Sequence, residues 1–181
     1  MTPKSDTSWI APFRARYAPW WEGARALIAR HDYGPAFKTY PWPTFGETPW
    51  APVTKPLAAC RLAVVTTGGL YLRDAQAPFD GEAGEGDSSW RPLPRDADAG
   101  RLAIAHPHFP HEVAEADLNT IFPLERLVEL VAEGVVGGLA PTHYSTMGYA
   151  PRAGDLAEAT APAIAARMRE EGVDLALVVP V

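Results

Sequence analysis

The chain has 181 residues, 47% apolar and 21% charged, which suits one folded domain and argues against a disordered tract. A net charge of −6, with 16 Lys and Arg scattered along the sequence, argues against a nucleic-acid or anionic-membrane surface. The single cysteine, Cys60, excludes an internal disulfide and a cysteine zinc site, and no stretch approaches the ~20 apolar residues of a membrane span. No signal-peptide core follows Met1-Thr2-Pro3-Lys4, so a cytoplasmic protein is expected.

Residues 1–59 read as an arm. They hold five of the six tryptophans, Trp9, Trp20, Trp21, Trp42 and Trp50. A helix is expected around Trp20–Arg30, where Trp20, Ala24, Leu27 and Ile28 share a face. Pro35, Pro41, Pro43, Pro49, Pro52 and Pro56 then argue against regular structure. So many aromatic rings must cover something, either the arm's own core or a second subunit.

An α/β pattern begins at Cys60. Arg61–Thr66 reads as a strand, followed by a Thr67-Gly68-Gly69 turn whose backbone N–H groups suit an anion or simply turn the chain. Residues 74–100 read as a long loop. Within it, Gly86-Asp87-Ser88-Ser89-Trp90-Arg91 offers Asp87, Ser88, Ser89 and Arg91 either to a polar ligand or to local turns. Arg101–Ala105 is the second expected strand. Leu124, Leu127, Val128 and Val131 mark a helix begun by Pro123 and capped by Gly134. Val135–Leu139 is a third strand, and residues 141–148, with His143 and Met147, a loop. A helix from about Asp155 to Glu171, with Pro162 kinking it or starting its main body, leads to a buried interior strand over 173–181. The expectation is a three-layer α/β fold with a mainly parallel sheet in residues 60–181, preceded by the aromatic- and proline-rich arm.

Chemistry in such folds gathers at the carboxyl ends of the strands. The densest polar group is His106-Pro107-His108-Phe109-Pro110-His111-Glu112, with Asp117 and Asn119 downstream. Three readings stand open: a His-x-His metal site with a carboxylate, an acid/base and positioning pair, or loop histidines satisfied by backbone. Thr67, Gly68, His143 and Met147 are expected at the same rim.

In order and spacing, residues 86–91, 106–109, Asp117-Leu118-Asn119, Phe122–Leu127, residues 134–137, Met147-Gly148 and Gly172–Val181 resemble the selenoprotein B group of the glycine/sarcosine/betaine/D-proline reductases. The resemblance spans roughly residues 50 to 181 and favours the short D-proline-reductase type. It implies an oxidoreductase that cleaves a small amino acid or amine-like substrate reductively, with a disulfide as acceptor. It further implies a selenocysteine or cysteine just after Val181, with no other cofactor and no metal. The chain would then be truncated before its nucleophile and inactive as it stands, the gene continuing through an in-frame UGA codon. Catalytic roles would fall to His106, His108 and His143. Substrate binding would fall to Thr67, Gly68, Asp87, Ser88, Ser89, Arg91, Asp117, Asn119 and Met147. Implied partners are a pyruvoyl-type reductase subunit, a thiol or thioredoxin-like reductant and further copies of the chain. Pro110 departs from the acidic residue expected in the family's His-rich loop. Two alternatives accompany this reading: a metal-dependent hydrolase or lyase built on His106 and His108 with Glu112 or Asp117, and a non-catalytic oligomeric partner subunit.

Overall fold

The computed structural model describes residues 6–46 and 51–181; Pro49 and Trp50 of the arm lie outside them. The fold is α/β, with a mixed sheet of mostly parallel strands.

The centre of the sheet is β1 (Arg61–Thr66), the first expected strand. On one side it pairs in parallel with β7 (Leu175–Val179), from Leu62↔Leu175 to Thr66↔Val179. On the other it pairs in parallel with β5 (Gly138–Leu139) and then β6 (Thr142–Thr146). The register steps by two residues between these pairings, from Leu62↔Leu139 to Val65↔Tyr144, just after the Ala140 N–H donates to the Leu62 carbonyl at 2.8 Å. Antiparallel β3 (Trp90–Pro94) flanks β6.

Alternation sorts the side chains of β1 onto two faces. Leu62 and Val64 pack with Leu93, Leu139, Phe122 and Leu127, the last from α4 (Leu124–Ala132). Ala63 packs with Ala140, Tyr144 and Ile164, the last from α6 (Ala161–Glu170). Each fully buried aliphatic side chain contributes about 1.5–3 kcal/mol.

Five expectations are corrected. The strand expected over 101–105 is β4 (Leu102–Ile104), which pairs antiparallel with β2 (Leu70–Leu72) in a separate two-stranded ribbon. Part of the long loop of 74–100 is β3, and the loop expected around His143 contains β6. Of the strand expected over 135–139, only Gly138–Leu139 pairs. The strand expected to be buried, β7, pairs only with β1 among the described residues, and its Leu177 and Val178 are exposed.

The last helix is interrupted as its proline requires. A short helix α3 (Glu112–Ala116) precedes α4, and a turn α5 (Ala153–Asp155) and a π-helical stretch Leu156–Thr160 precede α6, in which Pro162 occupies the first turn. Pro162 has no N–H to continue the regular ladder.

The arm is largely helical. α1 (Ile10–Ile28) runs well beyond the expected segment and carries Pro19 inside it, and α2 (Tyr33–Phe37) contains Pro35. Phe13, Tyr17, Trp20, Ala24, Ile28, Ala36 and Tyr40 form an aromatic cluster that meets Tyr149 and Ala153 of the α/β unit. Tyr40 donates to the Pro151 carbonyl at 2.6 Å, and Tyr17 donates to Glu85 at 2.9 Å.

Candidate functional site at the carboxyl edge of the sheet

The turn after β1 joins three chain segments. Thr66 Oγ1 accepts the Gly68 N–H at 3.1 Å, which closes the turn. Gly68 bridges to Met147 at the end of β6. The Gly69 N–H donates to the Thr146 carbonyl at 2.9 Å, and the Gly69 carbonyl accepts the Ala105 N–H at 2.9 Å. Gly69 has φ +66°, and a Cβ there would stand 2.8 Å from the His106 Cβ. Only glycine gives both the backbone conformation and the room.

This places His106 over the turn, 4% exposed. Its Nδ1 accepts the His108 N–H at 3.2 Å, so the neutral ring carries its proton on Nε2. His111 Nε2 donates to the His106 carbonyl at 2.8 Å and holds the loop from below. His106 Nε2 itself is buried without a partner. Burial, followed by the neighbouring charges of His108 and His111, pushes the His106 pKa down to about 4. At neutral pH the ring is therefore an uncharged hydrogen-bond donor and not a charged acid.

Three polar atoms converge above Gly148. A Cβ on this exposed glycine would lie 2.9 Å from His106 Nε2, 2.9 Å from the Val181 carbonyl oxygen and 3.2 Å from Thr67 Oγ1. Thr67 Oγ1 accepts the Val181 N–H at 2.8 Å. Gly148 also lines a hollow of about 120 Å³ with Phe37, Tyr40, Trp42 and Tyr149. A larger hollow, about 700 Å³, lies at the opposite, amino edge, beside Cys60, Arg61, Arg95 and Gly138. Size does not decide between them, because two of its cations are already engaged. Lys55 pairs with Asp174 at 2.7 Å, and Arg61 donates to the Glu171 carbonyl at 2.5 Å.

The other expected site residues separate into groups. His108 stands beside His106, with ring centroids 5.6 Å apart. It packs on Tyr149 at 4.1 Å and Tyr33 at 5.2 Å, and burial followed by the charge of His31 lowers its pKa. His143 lies inside the sheet layer with no exposure, and its Nδ1 accepts the Val64 N–H at 3.0 Å. Burial, then the charge of Arg95, pushes its pKa down to about 4. The structure thus separates His143 from the His106 crevice. Met147 and Gly68 are buried at the junction and act through their backbones.

The motif of residues 86–91 spends its polar groups on its own loop. Asp87 accepts the N–H groups of Asp80 at 3.0 Å and Ser89 at 2.8 Å. Burial alone would raise the Asp87 carboxyl, but the Ser89 hydroxyl, these N–H groups and Arg91 bring it below its ordinary value. Arg91 donates to the carbonyls of Ala77 at 2.8 Å and Pro78 at 3.1 Å and to Ser89 Oγ at 2.7 Å. The Ser88 carbonyl accepts the Thr160 hydroxyl. Asp117 accepts the Asn119 N–H at 2.9 Å, and both line a different hollow, beside Leu70 and Leu102. Gly69 was expected only as part of the turn after the first strand, not as the floor beneath His106. Tyr149 was missed, and an aromatic residue directly after Met147-Gly148 was its only signal.

Among the described residues no group of three or more His, Cys, Asp and Glu side chains is placed to hold a metal ion, which leaves the metal-hydrolase alternative without a ligand set. No described helix is long and apolar enough to cross a membrane.

The family of the glycine/sarcosine/betaine reductase selenoprotein B (GRDB) matches residues 23–180. The chain belongs to this selenoprotein B family. Among its relatives, the D-proline reductase subunit gamma of Acetoanaerobium sticklandii is 34% identical over 128 residues, 71% of this chain and 51% of the relative. The glycine reductase complex component B subunit gamma of Carboxydothermus hydrogenoformans is 28% identical over 180 residues, 96% of this chain and 41% of the relative. The sarcosine reductase complex component B subunit beta of Peptoclostridium acidaminophilum is 26% identical over 154 residues, 84% of this chain and 35% of the relative. The chain therefore spans about half the length of the first of these relatives and less of the others. No solved structure matches it significantly.

Proposed function

We propose that the chain is a selenoprotein-B-type reductase subunit that supplies the scaffold and part of the substrate pocket for reductive cleavage of a small amino acid. The match of the family across residues 23–180 carries this reading, and the polar crevice at the carboxyl edge of the sheet supports it. Its relatives are named as subunits of reductase complexes, so the chain is proposed to work in a complex with partner subunits and a thiol reductant.

The reaction adds two electrons and two protons across a carbon–nitrogen bond while a dithiol, or a selenol–thiol pair, becomes oxidised. A reactive thiolate or selenolate needs a surface rich in N–H donors. His106 Nε2–H offers such a donor, whereas the N–H groups of Thr67, Gly68 and Gly69 are spent on the Val179 carbonyl, Thr66 Oγ1 and the Thr146 carbonyl. Cys60 does not meet this need, because it is 1% exposed and precedes β1, at the amino edge. The thiol or selenol is therefore proposed to come from outside the described residues. His106 would position the substrate; His108, at the aromatic wall, would be the candidate to deliver a proton.

The test joins the chain to a cysteine-bearing segment and supplies a dithiol and partner subunits. D-proline, sarcosine, glycine and betaine are then offered in turn. Dithiol oxidation in step with product from one of them is expected. Equal inertness of the joined and unjoined chains with all four would overturn the reading.

A further inference from the structure

We infer that Phe37, Tyr40, Trp42 and Tyr149 form an aromatic cage for a methylated ammonium group. The cage adjoins the crevice through Gly148, so it deepens the proposed reductase reading by naming N-methylated amines as the substrate class. Only that assignment rests on the reductase reading; binding of the ammonium group does not.

The walls are the first support. The four rings line one hollow of about 120 Å³. Tyr149 meets Phe37 at 73°, Phe37 meets Tyr40 at 42°, and Tyr40 meets Trp42 at 73°. Their centroids are 6.1, 5.4 and 4.7 Å apart in the same order. Rings so inclined make the corners of a box. Phe37 and Tyr40 are backed by Trp20 at 5.3 and 4.9 Å, and Tyr149 by His108 at 4.1 Å. Three walls are thus held in place before any ligand arrives, which lowers the cost of binding.

The polar ends of these rings are spent elsewhere. Tyr40 donates to the Pro151 carbonyl at 2.6 Å and Tyr149 to the Gly84 carbonyl at 2.9 Å. A ligand in the hollow therefore meets ring carbon and neither tyrosine hydroxyl. The fourth wall, Trp42, is 64% exposed. An indole left so far in water, beside a hollow lined by three other rings, is the mark of a binding surface.

The chemistry selects the ligand. Aromatic faces carry negative potential, which repels an anion and attracts a cation. The protein does not fill the place itself: no Lys or Arg lines the hollow, and among the described residues the cation over a ring is Arg91 on Phe79. A primary ammonium would bring three N–H donors to walls of ring carbon, where unpaired donors are costly. Methyl groups on the nitrogen remove those donors and keep the charge. The hollow is well below the ~300–1,000 Å³ of pockets that enclose a whole drug-sized ligand, so it suits a head group.

The test uses the whole chain, with NMR of the Tyr40 and Tyr149 ring resonances. The probes are choline and its neutral isostere, in which a tert-butyl group replaces trimethylammonium. Choline should shift both rings saturably and bind about tenfold more tightly than the isostere. Trp42→Leu keeps apolar bulk at an exposed position and removes the ring face; it should weaken choline about tenfold, and Trp42→Phe should recover part of the loss. Choline that leaves both rings unmoved, binds no better than the isostere, or binds Trp42→Leu as tightly as the parent chain overturns the cage. In an active reconstituted complex, Trp42→Leu should raise the KM of betaine more than that of glycine; equal effects overturn the substrate assignment. Saturable choline binding with inert complexes would sink the reductase reading and leave the cage standing. Turnover with both rings unmoved by choline would do the reverse.

Discussion

His143 Nδ1 accepts the backbone N–H of Val64 at 3.0 Å, across the sheet. This side chain stands in for a strand. Between the β5 and β6 pairings the ladder slips, and no carbonyl of β6 faces Val64. An orphaned N–H in a residue with no exposure costs about 1–3 kcal/mol. His143→Leu should therefore lower stability by about 2–4 kcal/mol once the lost packing on Phe122 is added. Urea unfolding measures it. His143→Gln, which keeps an acceptor, should recover part of the loss. A neutral His143→Leu would show that Val64 finds another partner.

Acid should unfold the protein earlier than its carboxylates demand. His106 and His143 both have pKa values pushed down to about 4 by burial, against 6.5 for an ordinary histidine. The unfolded chain thus binds more protons than the folded one between these values. Stability is fully present above about pH 6.5 and falls as pH drops toward 4, by about 1.4 kcal/mol per pH unit for each ring. The lowered pKa of His108 adds in the same direction. Urea midpoints at pH 7, 6 and 5 check this, and His143→Gln should flatten the slope. A midpoint constant from pH 7 to 5 would contradict the burial of these rings.

The core of the fold was legible where pattern and burial agreed. Arg61–Thr66 was readable as a short unbroken apolar run, and the helix at Leu124 because its apolar residues recur with the helical period. Centre and edge were reversed elsewhere. β6, with the polar sequence Thr-His-Tyr-Ser-Thr, is buried throughout, whereas the apolar β7 has exposed residues. Thr142 and His143 are tolerated inside because each has a specific partner, Glu171 at 2.7 Å and the Val64 N–H. Such partners are set by tertiary packing and leave no periodic trace. At the site, the His-rich loop stood out in the sequence. The separation of His106 from His143, and the role of Gly69 beneath His106, depend on strand order and on a positive φ that spacing does not encode.

Arg91 should matter for the loop it ties down. Its guanidinium reaches the carbonyls of Ala77 and Pro78 and the Ser89 hydroxyl, and lies 4.2 Å from the centre of the Phe79 ring. A lysine ammonium has no planar fork and cannot hold these directions at once. Arg91→Lys should cost about 1–3 kcal/mol. Hydrogen exchange should quicken over residues 77–89 while β1 stays protected. Unchanged exchange there would mean that Asp87 alone holds the loop.

The arm should behave as part of the folded unit. Trp20 is 7% exposed, donates its indole N–H to the Ala36 carbonyl at 2.9 Å and packs against Tyr17, Phe37 and Tyr40. Trp20→Ala removes the ring around which α1 and α2 are packed, at a cost of about 3–5 kcal/mol. The cluster meets the α/β unit through Tyr149, which also stacks on His108. Loosening the arm should therefore change the surroundings of His108 as well as the melting temperature. Thermal unfolding followed by Trp fluorescence, together with the His108 ring resonances, measures both effects. A large loss of stability with unmoved His108 resonances would separate the arm from the site. A coupled change would show that the aromatic cluster holds the wall of the crevice in place.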